Sequence, residues 1–392
     1  MTASLASQGA PEYLVAIFEA LQFRGASIGR LRELKGMEWD DLLGWCDARQ
    51  LTLVLPSLCG EALPNEVRHR IEQCQSRYIE RFSRIKSQLF EITEALDTAG
   101  IEFIVLKGLT HAPAFTPNPL LRAQGDIDLW VPGDAVHQAR EILIKIGYVS
   151  GERARSRHLP PMRRPSGWRW RGDRFDPEMP VSIELHFELW SERTERIAVP
   201  GLNGFWSRRA ARTFGGHSVN VLRDEDLLGF AALHLLLHVL HGELPAQRAW
   251  EIASFLHNRA GDEIFWASWR RLHSSALKEL EILVFQLVRI WFSCDLSRAV
   301  VEETNALPER VRAWLNTFSL SPLTRQFRPN KDELWLHLAL ISPADRVRIL
   351  TRRLFPVQLP QSRFLLNRAA HHLYTFLPTL FQGARWFCFR TR

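Results

Sequence analysis

An α+β fold, mostly helical, is what the 392-residue chain predicts, on two observations: β-rich runs are confined to the middle of the sequence, and apolar residues recur at helical spacing before and after them. A third observation narrows the class. With 46% hydrophobic and 24% charged residues the chain is neither a disordered tail, nor a collagen, nor a disulfide miniprotein. The organisation expected is an N-terminal helical region over residues 1–99, a strand-bearing core over 100–222 and a C-terminal helical region over 223–392.

The first 23 residues lack a basic leader and carry Glu12 and Glu19 among apolar residues, so they read as a short helix and not a secretion signal. A helical pattern with an apolar face follows from Glu38 to about Gly60. From Pro64 to Ala99 the apolar series Val67, Ile71, Cys74, Tyr78, Phe82, Ile85, Leu89, Ile92 and Leu96 marks one long helix, which Gly100 stops. Glu102 to Leu106 is a first strand ending at Lys107-Gly108, and Asp126 to Val131 is a second. Pro132-Gly133-Asp134 reads as a turn in which Asp134 caps a helix from Ala135 to Ile146, closed by Gly147. Gly151 to Asp176 holds eight arginines together with Trp168 and Trp170, an exposed basic loop or hairpin. Val181 to Trp190 is a third strand, in which Ile183, Leu185 and Phe187 alternate with Ser182, Glu184, His186 and Glu188. Beyond Pro200 the pattern is helical: Leu227 to His241 capped by Asp224 or Asp226, Ala246 to Asn258, further helices through Phe265 to Phe292, then Pro343 to Leu354 and Ser362 to Phe376.

The 50 Lys+Arg against 43 Asp+Glu give a formal charge of +7, which permits a nucleotide, a nucleic acid or a membrane surface as partner without selecting one. Cys46, Cys59, Cys74, Cys294 and Cys388 are widely spaced and form no CxxC pair, which points to reduced thiols in a cytoplasmic protein. The longest apolar stretch, Leu227 to Leu240, falls short of the roughly 20 residues that a membrane-spanning helix needs, and His234 and His238 interrupt it.

Asp126 and Asp128 stand two apart on a strand, so both carboxylates share one face, where they could hold a divalent cation. Oxygen ligands of this kind suit Mg²⁺, which in turn binds nucleotide phosphates. Glu184, on the polar face of the third strand, completes a three-carboxylate set if the two strands are neighbours. Lys107-Gly108 offers a cation and a backbone without Cβ where a strand gives way to a loop, and Arg122 adds a fork of donors. His186 shares Glu184's face and could orient it or act as a base. His234, His238 and His241 share a helical face; local hydrogen bonds or ligand contact are expected of them more than a transition-metal site. His371-His372 reads as surface, and the arginine-rich stretch as a lid over a triphosphate or an acceptor contact, with a solvated loop of no role as the next reading and RNA binding as the third.

In this order the residues resemble the polymerase-β-like nucleotidyltransferases, and among them a poorly characterised bacterial subfamily. The likeness rests on Leu106-Lys107-Gly108, Arg122, Asp126-Ile127-Asp128-Leu129 and Glu184-Leu185-His186, with Glu38 to Leu43 and the helix at His234, and it covers roughly residues 30 to 290. It implies a small mixed nucleotidyltransferase sheet flanked by N- and C-terminal helical regions. It also implies two Mg²⁺ ions held by Asp126, Asp128 and Glu184, with a nucleoside triphosphate bound by Lys107, Gly108 and Arg122. The reaction implied is transfer of a nucleoside monophosphate to a hydroxyl or amine, with His186, His234 and His238 on the acceptor side or as base. The acceptor expected is a small molecule or a peptide or glycan precursor of a bacterial pathway. The alternatives are an inactive nucleotide-binding scaffold and a toxin-like enzyme that adds nucleotides to tRNA. Two departures stand out: the superfamily has Gly-Ser in place of Lys107-Gly108, and the subfamily has an Asp where this chain has Glu251 before Ile252-Ala253.

Overall fold

The computed structural model describes residues 1–152 and 156–354. Arg153, Arg155, the expected helix from Ser362 to Phe376, His371-His372 and Cys388 lie outside the described residues. The middle of the chain builds a seven-stranded sheet from β1 (Ile104–Val105), β2 (Asp126–Trp130), β3 (Val149–Ser150), β4 (Met162–Arg163), β5 (Ser182–His186), β6 (Ala210–Phe214) and β7 (His217–Val221). Their spatial order is β3-β4-β5-β2-β1-β7-β6. The sheet is mixed: β2 with β5 and β1 with β7 are parallel, and the other neighbours antiparallel. The other elements of the described residues are helices, so the fold is α+β and mostly helical.

Strand alternation divides the sheet's two faces. Val105, Ile127, Leu129, Ile183, Leu185, Val219 and Val221 point to one side. They pack on Ile85, Leu89, Ile92 and Leu96 of the helix Asn65–Thr98 and on Val136, Ala139 and Leu143 of the helix Val136–Lys145. Each of these valines, leucines and isoleucines contributes about 1.5–3 kcal/mol on burial. The opposite face carries Asp126, Asp128, Glu184 and His186, and beside them Ile104, Leu106 and Trp130 join a second core made by helices from both ends of the chain. In that core Phe18 stacks on Phe292 at 5.6 Å, Phe23 stacks on Trp250 at 5.6 Å, and the Phe23 amide donates to the Phe292 carbonyl at 2.8 Å. The helix Asp224–Leu240 lies deep within it and is buried on nearly all sides, which explains its almost unbroken apolar run.

Several local expectations are corrected. The segment before the helix Asp224–Leu240 is not helical throughout but contains the β6–β7 hairpin, turned by Gly215 and Gly216 at φ +57° and +88°. A turn with positive φ at both central residues matches the twist of paired strands, and glycine adopts it without strain. Asp134 does not cap the helix Val136–Lys145, whose N-cap is Ala135 with no side-chain bond; Gly147, at φ +93°, does lie just past its end. Neither Asp224 nor Asp226 caps the helix Asp224–Leu240, because Asp224 pairs with Arg259 and Asp226 with Arg208 and His273. The strand expected to run to Trp190 stops at His186, where the Phe187 amide turns to the Arg157 carbonyl. The strand expected over residues 102–106 pairs only at Ile104 and Val105.

Candidate active site

The parallel pairing of β2 with β5 sets Asp128 opposite Glu184, Asp126 opposite Ser182 and Trp130 opposite His186, so the three carboxylates and the imidazole share one face. On the other side of β2, the Leu106 amide bonds the Asp128 carbonyl at 3.1 Å and brings Lys107 alongside. Lys107 Nζ lies 2.9 Å from Asp128 Oδ1, with Phe230 of the helix Asp224–Leu240 above it at 5.9 Å. His186 Nε2 reaches the same Asp128 oxygen at 2.8 Å and stands 3.6 Å from Glu184 Oε2. His158, from the basic stretch, lies 3.5 Å from that Glu184 oxygen, and its ring meets that of His186 at 5.0 Å. The ligand atoms of Asp128, Glu184 and His186 all fall within 4.8 Å of one another, which makes this, among the described residues, the group able to hold a metal ion.

The electrostatics split the acids. Burial alone would raise the Asp128 carboxyl, but Lys107 and the bond from His186 hold it well below its ordinary value. Burial and the neighbouring Asp128 charge push Asp126 upward. At Glu184 burial is outweighed chiefly by the bond from His186, and the carboxyl is lowered. Among the described residues, Asp128 Oδ2 and His186 Nδ1 are buried without a hydrogen-bond partner.

Gly108 is held at φ +72°, and a Cβ there would meet the Gln124 side chain at 2.3–2.5 Å. The Gln124 amide in turn donates to the Asp126 carbonyl at 2.6 Å, so the glycine locks the loop after β1 against the start of β2. Arg122 is not directed at the carboxylate cluster. Its Nε lies 3.1 Å from Glu251 Oε1, and His111 Nδ1 lies 3.2 Å from the other Glu251 oxygen, all three side chains being buried. Burial would raise Glu251, yet Arg122 and His111 hold it below the usual range. The residue that stood out in sequence as a departure is therefore the counter-ion of the arginine expected to bind phosphate.

Above the cluster, Arg248 donates to His234 Nδ1 at 3.2 Å and His238 Nε2 at 2.6 Å. Both imidazoles are pushed down by burial first, His238 to about 4. His241 instead faces Glu195 at 3.3 Å, so the three helix histidines do not converge. Arg248, His158, His111 and Gln124 were not singled out by sequence. Arg248 stands three residues before Glu251 on one helix, a spacing that puts both on one face and marks it in retrospect. For His158, in an arginine-rich stretch, no local signal exists.

A family model described as an uncharacterised nucleotidyltransferase matches residues 35–293, a span that contains every site residue from Lys107 to Glu251. No curated protein and no solved structure matches the chain.

Proposed function

Because the chain belongs to the uncharacterised nucleotidyltransferase family and is a nucleotidyltransferase enzyme, we propose that it moves a nucleoside monophosphate from a nucleoside triphosphate to a hydroxyl or amine acceptor in an Mg²⁺-dependent reaction. One observation carries the reading: Asp128 and Glu184 are register partners with Asp126 on the same face, and Asp128 Oδ2 is buried with no bond of its own. Leaving such an oxygen unpaired costs about 1–3 kcal/mol, a cost that a bound cation would relieve.

The donor set fits the group implied. Carboxylate oxygens are hard ligands of the kind Mg²⁺ prefers; Asp128 and Glu184 stand in one cluster with His186, and Asp126, on the same face, would join them in holding the two ions. When bound, Mg²⁺ supplies charge neutralisation for the triphosphate and the leaving pyrophosphate. The chain's own groups do the rest. Lys107 adds positive charge beside the carboxylates, and Gly108, packed against Gln124, fixes the loop that carries it. Arg122 acts through Glu251, fixing the loop after β1 onto the helix Ala246–Asn258. As the acceptor oxygen or nitrogen bonds to the α-phosphorus and the bond to pyrophosphate breaks, His186 takes the acceptor's proton, and His158 helps to orient the Glu184 carboxylate beside it.

Incubation of the protein with each of the four α-labelled triphosphates, Mg²⁺ and a cell lysate tests this. Label should move into one acceptor class with matching pyrophosphate release. Absence of Mg²⁺-dependent pyrophosphate release with every triphosphate would assign the site to binding without turnover. A nucleic-acid acceptor is supported by one feature, Trp170, which is 55% exposed with Arg174 6.0 Å from its ring. Label entering RNA in the same assay decides for it over a small-molecule, peptide or glycan acceptor.

A further inference from the structure

Of the cations Lys107, Arg122 and Arg248, the first two are already matched. Lys107 has Asp128 at 2.9 Å and Arg122 has Glu251 at 3.1 Å. Arg248 is different: among the described residues no carboxylate lies within the 4.0 Å of an ion pair from it. Its direct partners are the two imidazoles of His234 and His238, and its Nε is buried with no acceptor. The tautomer of His238 follows from its other bond. His238 Nδ1 donates to Glu243 Oε2, so Nε2 carries the lone pair that receives the Arg248 proton. A half-buried guanidinium is thus held in place by neutral acceptors that direct it without neutralising it. A desolvated cation without an anion is costly, and the cost is relieved when an anion arrives.

We propose that Arg248 binds the phosphate chain of the nucleoside triphosphate directly, and that His234 and His238 are positioning residues that aim its guanidinium. This rests on the nucleotidyl-transfer reading above and deepens it. Lys107, paired with Asp128 at 2.9 Å, lies 5.9 Å from the Phe230 ring, which meets His234 at 6.0 Å, and His234 holds Arg248 at 3.2 Å, so the guanidinium stands on the helix face next to the carboxylates, and an anion seated between them meets the fork of donors on one side and the cation-binding acids on the other. The proposal also moves His234 and His238 away from the acceptor and base roles that their sequence position suggested.

The test compares binding of each of the four nucleoside triphosphates and of the four monophosphates to the full chain in Mg²⁺, by equilibrium dialysis. In Arg248→Gln triphosphate affinity should fall by about tenfold or more while monophosphate affinity stays within about twofold, because one charge-assisted contact to the distal phosphates is lost. Arg248→Lys should recover part of the loss, and it supplies the same comparison if the Gln variant fails to fold. His238→Gln, whose carbonyl still accepts, should keep triphosphate affinity within about threefold, whereas His238→Leu should lose it as Arg248→Gln does. Unchanged triphosphate affinity in Arg248→Gln, or equal weakening of tri- and monophosphate, overturns the phosphate role. Equal loss in both His238 variants overturns the positioning role. Wild-type protein that binds triphosphate without transferring label would sink the catalytic reading and leave the Arg248 comparison standing. Wild-type protein that binds no triphosphate would sink both.

Discussion

Two of the clusters of buried acid, imidazole and cation among the described residues make a pair that burial does not tell apart. One is the site cluster of Asp128, Lys107, His186 and Glu184; the other joins Asp226, His273, Glu281 and Arg208 between helices of the C-terminal region. Asp128 and His186 are 1% exposed at their side chains, and Asp226 and His273 0%. What differs is satisfaction. In the helical cluster Arg208 donates to both Asp226 oxygens, His273 uses both ring nitrogens, and Trp269 completes Glu281. In the site cluster one Asp128 oxygen and one His186 nitrogen have no partner. A closed network rigidifies a fold, and an open one leaves coordination free for a ligand.

Asp128→Asn should break the first cluster at the level of chemistry. Nucleotidyl transfer should fall on the order of a thousandfold, with a smaller loss of stability than in Asp226→Asn, because removing the Asp128 charge relieves Asp126 even as it unpairs Lys107. Unfolding of this variant would make the two clusters equivalent and end the comparison. Asp226→Asn should show the reverse, a loss of about 3–5 kcal/mol in urea unfolding, with transfer retained at low temperature. If it silences transfer and leaves stability intact, the helical cluster is part of the chemistry.

A pH series separates the two further. Burial alone would lower His273, but Glu281 and Asp226 raise it from 6.5 to about 9. A raised folded-state value means stabilisation that is complete below the unfolded value near 6.5 and is lost as pH rises through about 9. The loss amounts to something on the order of 3 kcal/mol, read as a falling urea midpoint between pH 6.5 and pH 10. His273→Gln should flatten that slope, and a slope that persists would locate it elsewhere. The smallest effect is expected from Gly108→Ala, which puts a Cβ at φ +72° into the Gln124 amide. It should cost about 1–2 kcal/mol of stability, with a drop in transfer as Lys107 shifts; an unchanged variant would show that the loop does not lock β1 to β2.

Much of the site's framework was legible in the chain. A strand period of two is a backbone property, so Asp126 and Asp128 had to share a face, and Glu184 and His186 had to share theirs. The observed β2–β5 register, Asp128 against Glu184, brings those two faces together. Legibility stopped where partners are chosen. Arg122 looked like a free phosphate ligand because its counter-ion, Glu251, lies 129 residues away. Asp224 and Asp226 looked like helix caps because nothing local reveals Arg259, Arg208 or His273, which claim them. The β6–β7 hairpin passed unread because its residues are largely exposed and carry little apolar alternation, although Gly215-Gly216 marked its turn.

By itself, then, the sequence determined the helical and strand periods, the mostly helical α+β class and the carboxylates on each strand's polar face, since all of these follow from backbone geometry over a few neighbouring residues. Only the tertiary structure decided that helices from both ends of the chain share one core over the site, that Arg122 is spent on Glu251, and that Arg248 is left on two neutral imidazoles. The physical reason is that an ion pair or a packed ring depends on proximity in three dimensions and on shared loss of water, and neither is written in local spacing.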